Sequence, residues 1–285
     1  MKHYPERMVS TFMPPDTPLI PEQRREMILR QLHRDQVLSV HQLTDLLGVS
    51  HMTIRRDIAA LEHDGKAISI AGGVRLASHV RTEPSRIDKS TLETGRKASI
   101  AALASTLIRD EMVVYLDAGT TTLAIVPHLL GRSGLTVITN DFAIVDELGA
   151  IGNIDAVHIG GQIEWANRST VGPLAATTLA KLNTDLAIIS ASSWSVKHGV
   201  TSPSPSKVQV KTAALATTSE AVLVADSSKY GSFSLHSAIA LREFTSIVTD
   251  GDLSEGAAGG IRDLGVQLML ASPVEENDRV REPRG

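Results

Sequence analysis

The apolar positions of this chain follow two rhythms, and the change between them falls near residue 96. From Glu22 to Gly65 they recur at helical spacing. Met27, Ile28 and Leu32 share a face of Glu22–Leu32, and Ile54, Ile58 and Leu61 stand at i, i+4 and i+7 further on. Between them Val37-Leu38-Ser39-Val40 is short and β-branched. Ser39 can cap a helix over Val40–Leu47, and Gly48 can end it. Ser50 takes the N-cap place of a third helix and Gly65 the left-handed place behind it. Beyond that, Ala67–Ile70 and Val74–Leu76 flank Gly72-Gly73 and read as a β-hairpin. This order predicts an α+β winged helix-turn-helix, whose last helix enters a DNA major groove.

From Arg96 short continuous apolar runs alternate with helical stretches. Lys97–Ile108 sets Ile100, Leu103, Ala104 and Leu107 at helical spacing. Met112–Leu116, Leu135–Ile138, Ala156–Ile159, Leu186–Ile189, Ala221–Ala225, Ser246–Val248 and Val266–Leu270 read as buried strands. Strands separated by helices predict an α/β domain built on a mostly parallel sheet. The expected division is a disordered leader over 1–20, the winged helix-turn-helix over 21–76, a polar linker over 77–95, the α/β domain over 96–272 and a charged tail over 273–285.

Composition narrows the classes. The chain has 285 residues, 42% of them hydrophobic, and no apolar run approaches the ~18 residues of a membrane helix. It has no cysteine, which excludes disulfides and thiolate metal ligands and suits a reducing cytoplasm. Its histidines lack metal-ligand spacing, and it has neither a GxGxxG nor a P-loop string, so no metal and no nucleotide cofactor are expected. The net charge of −4 offers no broad basic field, and between 22 and 66 acids and bases cancel. DNA binding must then rest on a few placed side chains. Ser50, His51, Thr53, Arg55 and Arg56 are the candidates. Two arginines near a helix N-terminus oppose the helix dipole, so a partner explains them better than stability does. Asp57 is expected to pair with a neighbouring arginine, and Trp165 and Trp194 to pack, with ligand contact the lesser alternative for Trp194.

The run from Arg24 to Val74, with Thr53-Ile54-Arg55-Arg56-Asp57 as its most specific string, resembles the DNA-binding domain of the DeoR family of bacterial transcriptional repressors. It departs in the wing. Family members carry basic residues and a His before the Gly pair, where this chain has Ile68, Ser69, Ile70 and Ala71, so its wing should add less phosphate contact.

In a parallel sheet, ligands bind beyond the carboxyl ends of the strands. Met112–Leu116 runs into Asp117-Ala118-Gly119-Thr120-Thr121-Thr122, where a glycine and three hydroxyls open the next helix and can converge on phosphate. The alternative is that the threonines merely cap that helix. Other strand ends lead into Thr139-Asn140, Gly160-Gly161 and Asp226 with Lys229. These strings, and Lys211, resemble the family's sensor domain, which is similar in fold to ribose-5-phosphate isomerase and senses phosphorylated sugars or their relatives. The resemblance implies phosphate on Gly119, Thr120, Thr121 and Thr122, with Lys211, Asp226 and Lys229 nearer the sugar; Asp117, Thr139, Asn140, Gly160, Gly161 and Ser192 complete the expected effector site. Ser190–Ser195 and Ser206-Lys207 depart from the family pattern, and the serine-tryptophan string resembles a subgroup associated with four-carbon sugar acids. A more anionic, phosphorylated sugar-acid effector is the resulting expectation. The expected protein is a homodimeric or homotetrameric repressor with double-stranded operator DNA and a small effector as partners, and no enzyme. The alternative is an isomerase-like enzyme fused to a DNA-binding domain.

Overall fold

The computed structural model describes residues 19–273. Residues 1–18 of the expected leader and 274–285 of the expected tail lie outside the described residues. The chain begins with α1 (Pro21–Asp35), β1 (Val37–Ser39), α2 (Val40–Leu47), α3 (His51–His63), β2 (Ala67–Ile70) and β3 (Gly73–Leu76). The local chemistry sets the ends. Ser39 Oγ accepts the Gln42 N–H at 3.1 Å while Gln42 Oε1 accepts the Ser39 N–H at 2.8 Å, a reciprocal capping box that starts α2. Gly48 ends it at φ +63°. Ser50 Oγ accepts the Thr53 N–H at 3.3 Å and starts α3. At the far end Gly65 has φ +67°, and the N–H groups of Gly65 and Lys66 reach the carbonyls of Glu62 and Leu61, the Schellman pattern. Ile28, Leu32, Leu43, Ile54, Leu61 and Val74 close the core beneath. Arg24 Nε lies 2.8 Å from Asp57 Oδ2, so the arginine that pairs with Asp57 comes from α1.

The stretch expected as a linker contains a helix, α4 (Arg86–Thr91), started by a Ser85–Asp88 capping box. It is six residues long, too short for a hydrophobic period to register in the sequence. Next come α5 (Thr94–Ser105), β4 (Val113–Leu116), α6 (Thr120–Leu123), β5 (Thr136–Thr139), α7 (Phe142–Ile151), β6 (Asp155–His158), β7 (Gln162–Glu164) and β8 (Ser169–Val171). The chain continues through α8 (Gly172–Leu179), β9 (Thr184–Ser190), β10 (Ser193–Ser195), β11 (Gly199–Ser202), α9 (Pro205–Ala216) and β12 (Thr218–Val224). It closes with β13 (His236–Ile239), β14 (Ser246–Asp250), α10 (Glu255–Asp263) and β15 (Gln267–Ala271).

All seven expected strands join one parallel sheet in the order β15-β14-β12-β9-β4-β5-β6. Apolar side chains of α8, α9 and α10 cover one face and those of α5 and α7 the other, which is why the strands read as continuous apolar runs. The chain runs outward from β4 through β5 to β6, then returns to β9 on the other side of β4. That reversal opens a crevice between the carboxyl ends of β4 and β9. The hairpin β7–β8 and the antiparallel sheet β10-β11-β13 were not expected; their strands are three or four residues long, too short for an alternating pattern to register.

The two halves touch through the wing. Ile68 of β2 is 4% exposed and shares a core with Trp194 and Tyr230. A Cβ on Gly231 would stand 2.3 Å from Ile68 Cγ1. Arg75 of β3 donates to the carbonyls of Ser228 and Tyr230 at 3.2 and 3.0 Å. A wing strand spent on this contact has a reason to carry isoleucine where the resemblance implied a basic residue.

Candidate functional site

Two regions combine chemistry with access. The first is the outer face of α3. Ile54, Asp57, Ile58 and Leu61 are buried, whereas His51, Arg55 and Arg56 are exposed. Arg55 and Arg56 make no hydrogen bond or ion pair among the described residues, so both guanidinium groups are free. Ser50 and Thr53 stand at the same end, their hydroxyls 3.0 Å apart and engaged in the cap. The arrangement can present bidentate donors to base edges and phosphates.

The second is the crevice at the ends of β4 and β9. Asp117, Gly119, Thr120, Asn140, Ser192 and Lys211 of the expected set line it. Asp117 and Lys211 form a buried ion pair. Asp117 Oδ2 also accepts the N–H and hydroxyl of Ser190 at 3.1 and 3.0 Å, and Lys211 Nζ donates to Ser190 O at 2.7 Å. Asn140 is a brace: its Oδ1 accepts Ala118 N–H at 2.9 Å and Tyr115 Oη–H at 3.0 Å, and its Nδ2 donates to Thr170 O at 2.9 Å. Burial first, and then Asp117, hold the Tyr115 phenol well above its ordinary pKa, so it stays a donor.

Other expected residues stand elsewhere. Thr122 is fully buried and its hydroxyl proton is shared between Asp117 O at 2.6 Å and Gly119 O at 2.9 Å, so it ties α6 to the end of β4; no side chain caps this helix. Thr139 is fully buried and donates to Leu116 O at 2.7 Å, tying β5 to β4. Gly160 and Gly161, both at positive φ, connect β6 to β7 outside the crevice; a Cβ on Gly161 would meet Ala175 Cβ at 2.8 Å, so the glycine lets the chain pass close to α8. Thr121 and Lys229 border an adjoining hollow with Thr120 and Ser192. Asp226 is paired with Lys229 at 2.9 Å; burial opposes its charge, but Lys229, the Ser228 hydroxyl and Lys97 together lower its pKa. Trp194 packs, fully buried, edge-on to Tyr230 at 4.9 Å. Trp165 does not pack as expected: it is 78% exposed.

The crevice gains Glu83, Arg86 and Lys89, which the sequence did not mark as a site and which come from the segment expected as a linker; Lys207, expected near the ligand, stands with them in the first turn of α9. Arg86 Nη1 lies 2.6 Å from Asp141 Oδ2, and its Nη2 is buried without a hydrogen-bond partner. Lys207 lies 2.8 Å from Glu164 Oε2. Burial opposes the Lys207 charge, but Glu83 and Glu164 raise its pKa, so it stays protonated. The Lys207 departure from the family pattern was visible in the sequence; that Arg86 and Lys89 sit opposite it was not. Among the described residues no cluster of His, Asp or Glu suits a metal ion, and no helix is long and apolar enough to cross a membrane.

A helix-turn-helix with free arginines, joined to a parallel-sheet domain with a charged crevice at its switch point, defines a DNA-binding regulator carrying a sensor domain. The particular family is set by similarity to known proteins. Residues 24–80 match the DeoR-like helix-turn-helix domain and residues 92–251 the DeoR C terminal sensor domain; the chain belongs to the DeoR family of transcriptional regulators. It is 44% identical, over 89% of its length and 99% of the relative's, to the uncharacterized HTH-type transcriptional regulator YgbI of Escherichia coli. It is 42% identical, over 88% and 98%, to an uncharacterized HTH-type transcriptional regulator of Haemophilus influenzae. Among solved structures it is similar to ribose 5-phosphate isomerase A of Methanocaldococcus jannaschii, at 18% identity and a TM-score of 0.34, over 47% of this chain and 53% of that one.

Proposed function

We propose that this regulator is a repressor of a carbohydrate or sugar-acid catabolic operon, controlled by a small phosphorylated sugar or sugar acid bound in the crevice beside Gly119, Thr120 and Lys211. The observation that carries this reading is the buried, unpartnered Nη2 of Arg86 on the crevice wall. A buried guanidinium donor without an acceptor is costly, and an anionic ligand relieves it. Lys89, Lys207 and Lys211 on the same walls favour an anion further. α3 enters the operator's major groove through Arg55 and Arg56. A homodimer or homotetramer supplies two half-sites, since one helix-turn-helix without a basic surround reaches little specificity alone. The protein works in the cytoplasm without a cofactor. Catalysis is disfavoured because the Asp117 carboxylate is engaged by Ser190 and Lys211 and offers no free base.

The test is a thermal-shift screen of phosphorylated sugars and sugar acids on the full chain, with operator titration of each hit. A ligand at a hundred times its dissociation constant should stabilise by about 2.7 kcal/mol. It should also change operator affinity, with a coupling of about 1–3 kcal/mol. Hits that leave operator affinity unchanged, or that are isomerised at a steady rate, would favour the enzyme reading instead.

A further inference from the structure

The segment between the wing and α4 is threaded into the sensor domain. Val80 N–H donates to Phe233 O at 2.7 Å and Phe233 N–H to Ser78 O at 3.0 Å. Just beyond, Glu83 turns its carboxylate into the crevice, where it is 15% exposed. Its two oxygens serve different helices. Oε1 lies 2.7 Å from Lys89 Nζ of α4, and Oε2 accepts from Lys207 Nζ of α9. Burial by itself would raise the pKa of this carboxyl, but Lys207 and Lys89 hold it down at about 2. It is therefore ionised throughout the physiological range. The crevice already holds a carboxylate on a two-lysine seat, and that carboxylate belongs to the chain segment leading from the wing.

Its anchoring differs from that of Asp117, the other carboxylate on the crevice wall, and of Asp141, which pairs with Arg86. Asp117 accepts a backbone N–H from Ser190 at 3.1 Å, and Asp141 accepts those of Ala143 and Gly119 at 2.8 and 3.1 Å, so both are fixed by the ends of the sheet. Among the described residues Glu83 accepts from the two lysine side chains alone. Exchanging it for another anion breaks no backbone hydrogen bond of its own carboxylate.

We infer that Lys89 and Lys207 form the seat for a second oxyanion of the effector, and that Glu83 occupies this seat until the effector displaces it. The inference rests on the reading of the crevice as an anion site. It adds that the effector carries two separated anionic groups, as a phosphorylated sugar acid does and a phosphorylated neutral sugar does not. It also supplies a route to the DNA-binding domain. An incoming oxyanion gains both lysines only by releasing Glu83, and release loosens the segment that leads to β3. The effector then favours the loosened arrangement by the difference in its affinity for the two states.

The experiment titrates the full chain with inorganic phosphate by calorimetry, comparing the parent with Glu83→Gln. Removing the competing charge while keeping the seat should tighten phosphate binding at least tenfold, and adding Lys207→Gln should abolish the gain. Where Glu83→Gln fails to fold, Glu83→Asp replaces it: one methylene shorter, it holds both lysines poorly and should show a smaller gain of the same sign. In the parent, saturating phosphate should also speed tryptic cleavage after the exposed Arg81. Unchanged or weaker phosphate binding in the folded variants overturns the seat, and unchanged cleavage at full occupancy overturns the route to the wing. The two readings fail differently. A phosphate gain in the variant without any sugar acid binding the parent sinks the proposed effector class, not the seat. Sugar acids that bind the parent without a gain in the variant sink the seat alone.

Discussion

Glu62 Oε1 accepts the hydroxyl of Ser254 at 2.9 Å, and through that bond α3 is fastened to the first turn of α10. The same hydroxyl accepts the Ala257 N–H at 3.2 Å and so starts α10, while Glu62 Oε1 also accepts the Ser69 N–H of the wing at 3.0 Å. One carboxylate thus joins the helix bearing the free arginines, the wing and the sensor domain.

Burial raises the Glu62 pKa, against the lowering effect of its bonds from Ser69 and Ser254. A carboxyl whose folded pKa lies above its unfolded value favours folding most when protonated, so it contributes less as pH rises past the unfolded value and through the folded one. Thermal midpoints measured from pH 4 to 8 should therefore show a falling contribution in the parent that Glu62→Gln removes. A variant with the parent's pH slope would contradict the assignment.

Arg55→Ala and Arg56→Ala should each weaken specific operator binding. A bidentate arginine–guanine contact is worth about 1–3 kcal/mol, and a dimer loses it twice. Both side chains are exposed and unpaired, so the unfolding midpoint should stay where it is. Gel-shift titrations at fixed salt, beside a thermal melt, check both halves.

Lys211→Ala should destabilise the sensor domain. The residue is 7% exposed, and its removal leaves Asp117 buried with an uncompensated charge. The expected cost is about 3–5 kcal/mol in urea unfolding. Thr120→Ala, on the crevice wall, is the milder probe of the ligand site: it should weaken effector response with little loss of stability.

Gly231→Ala should undock the wing. The glycine sits at φ +73°, and a Cβ there would overlap Ile68 Cγ1. Faster proteolysis between residues 76 and 86, with the sensor domain's own melt preserved, is the expected result. Parent-like resistance would mean that Ile68 can shift at no expense.

Local structure was legible in the sequence alone. The caps at Ser39 and Ser50, the left-handed Gly48 and Gly65, and the apolar runs of the parallel strands depend on neighbours within a turn or a strand. They appeared where expected, to within a few residues. Asp117, Gly119 and Thr120 were equally legible as crevice residues, because the end of a buried strand fixes where the next few positions lie. The remainder came from packing between distant parts of the chain. Thr122 and Thr139 look like their crevice neighbours in sequence, yet their hydroxyls turn to carbonyls of β4 and its loop. Glu83 and Lys207 lie 124 positions apart, and only the return of the chain from β6 to β9 and α9 brings them together. Ile68, a weak wing residue when read alone, becomes part of a core once Gly231 leaves room for it. Periodicity and capping record short-range forces. The charge pairs of the crevice and the docking of the wing arise from which surfaces meet, and no short stretch of the chain encodes that.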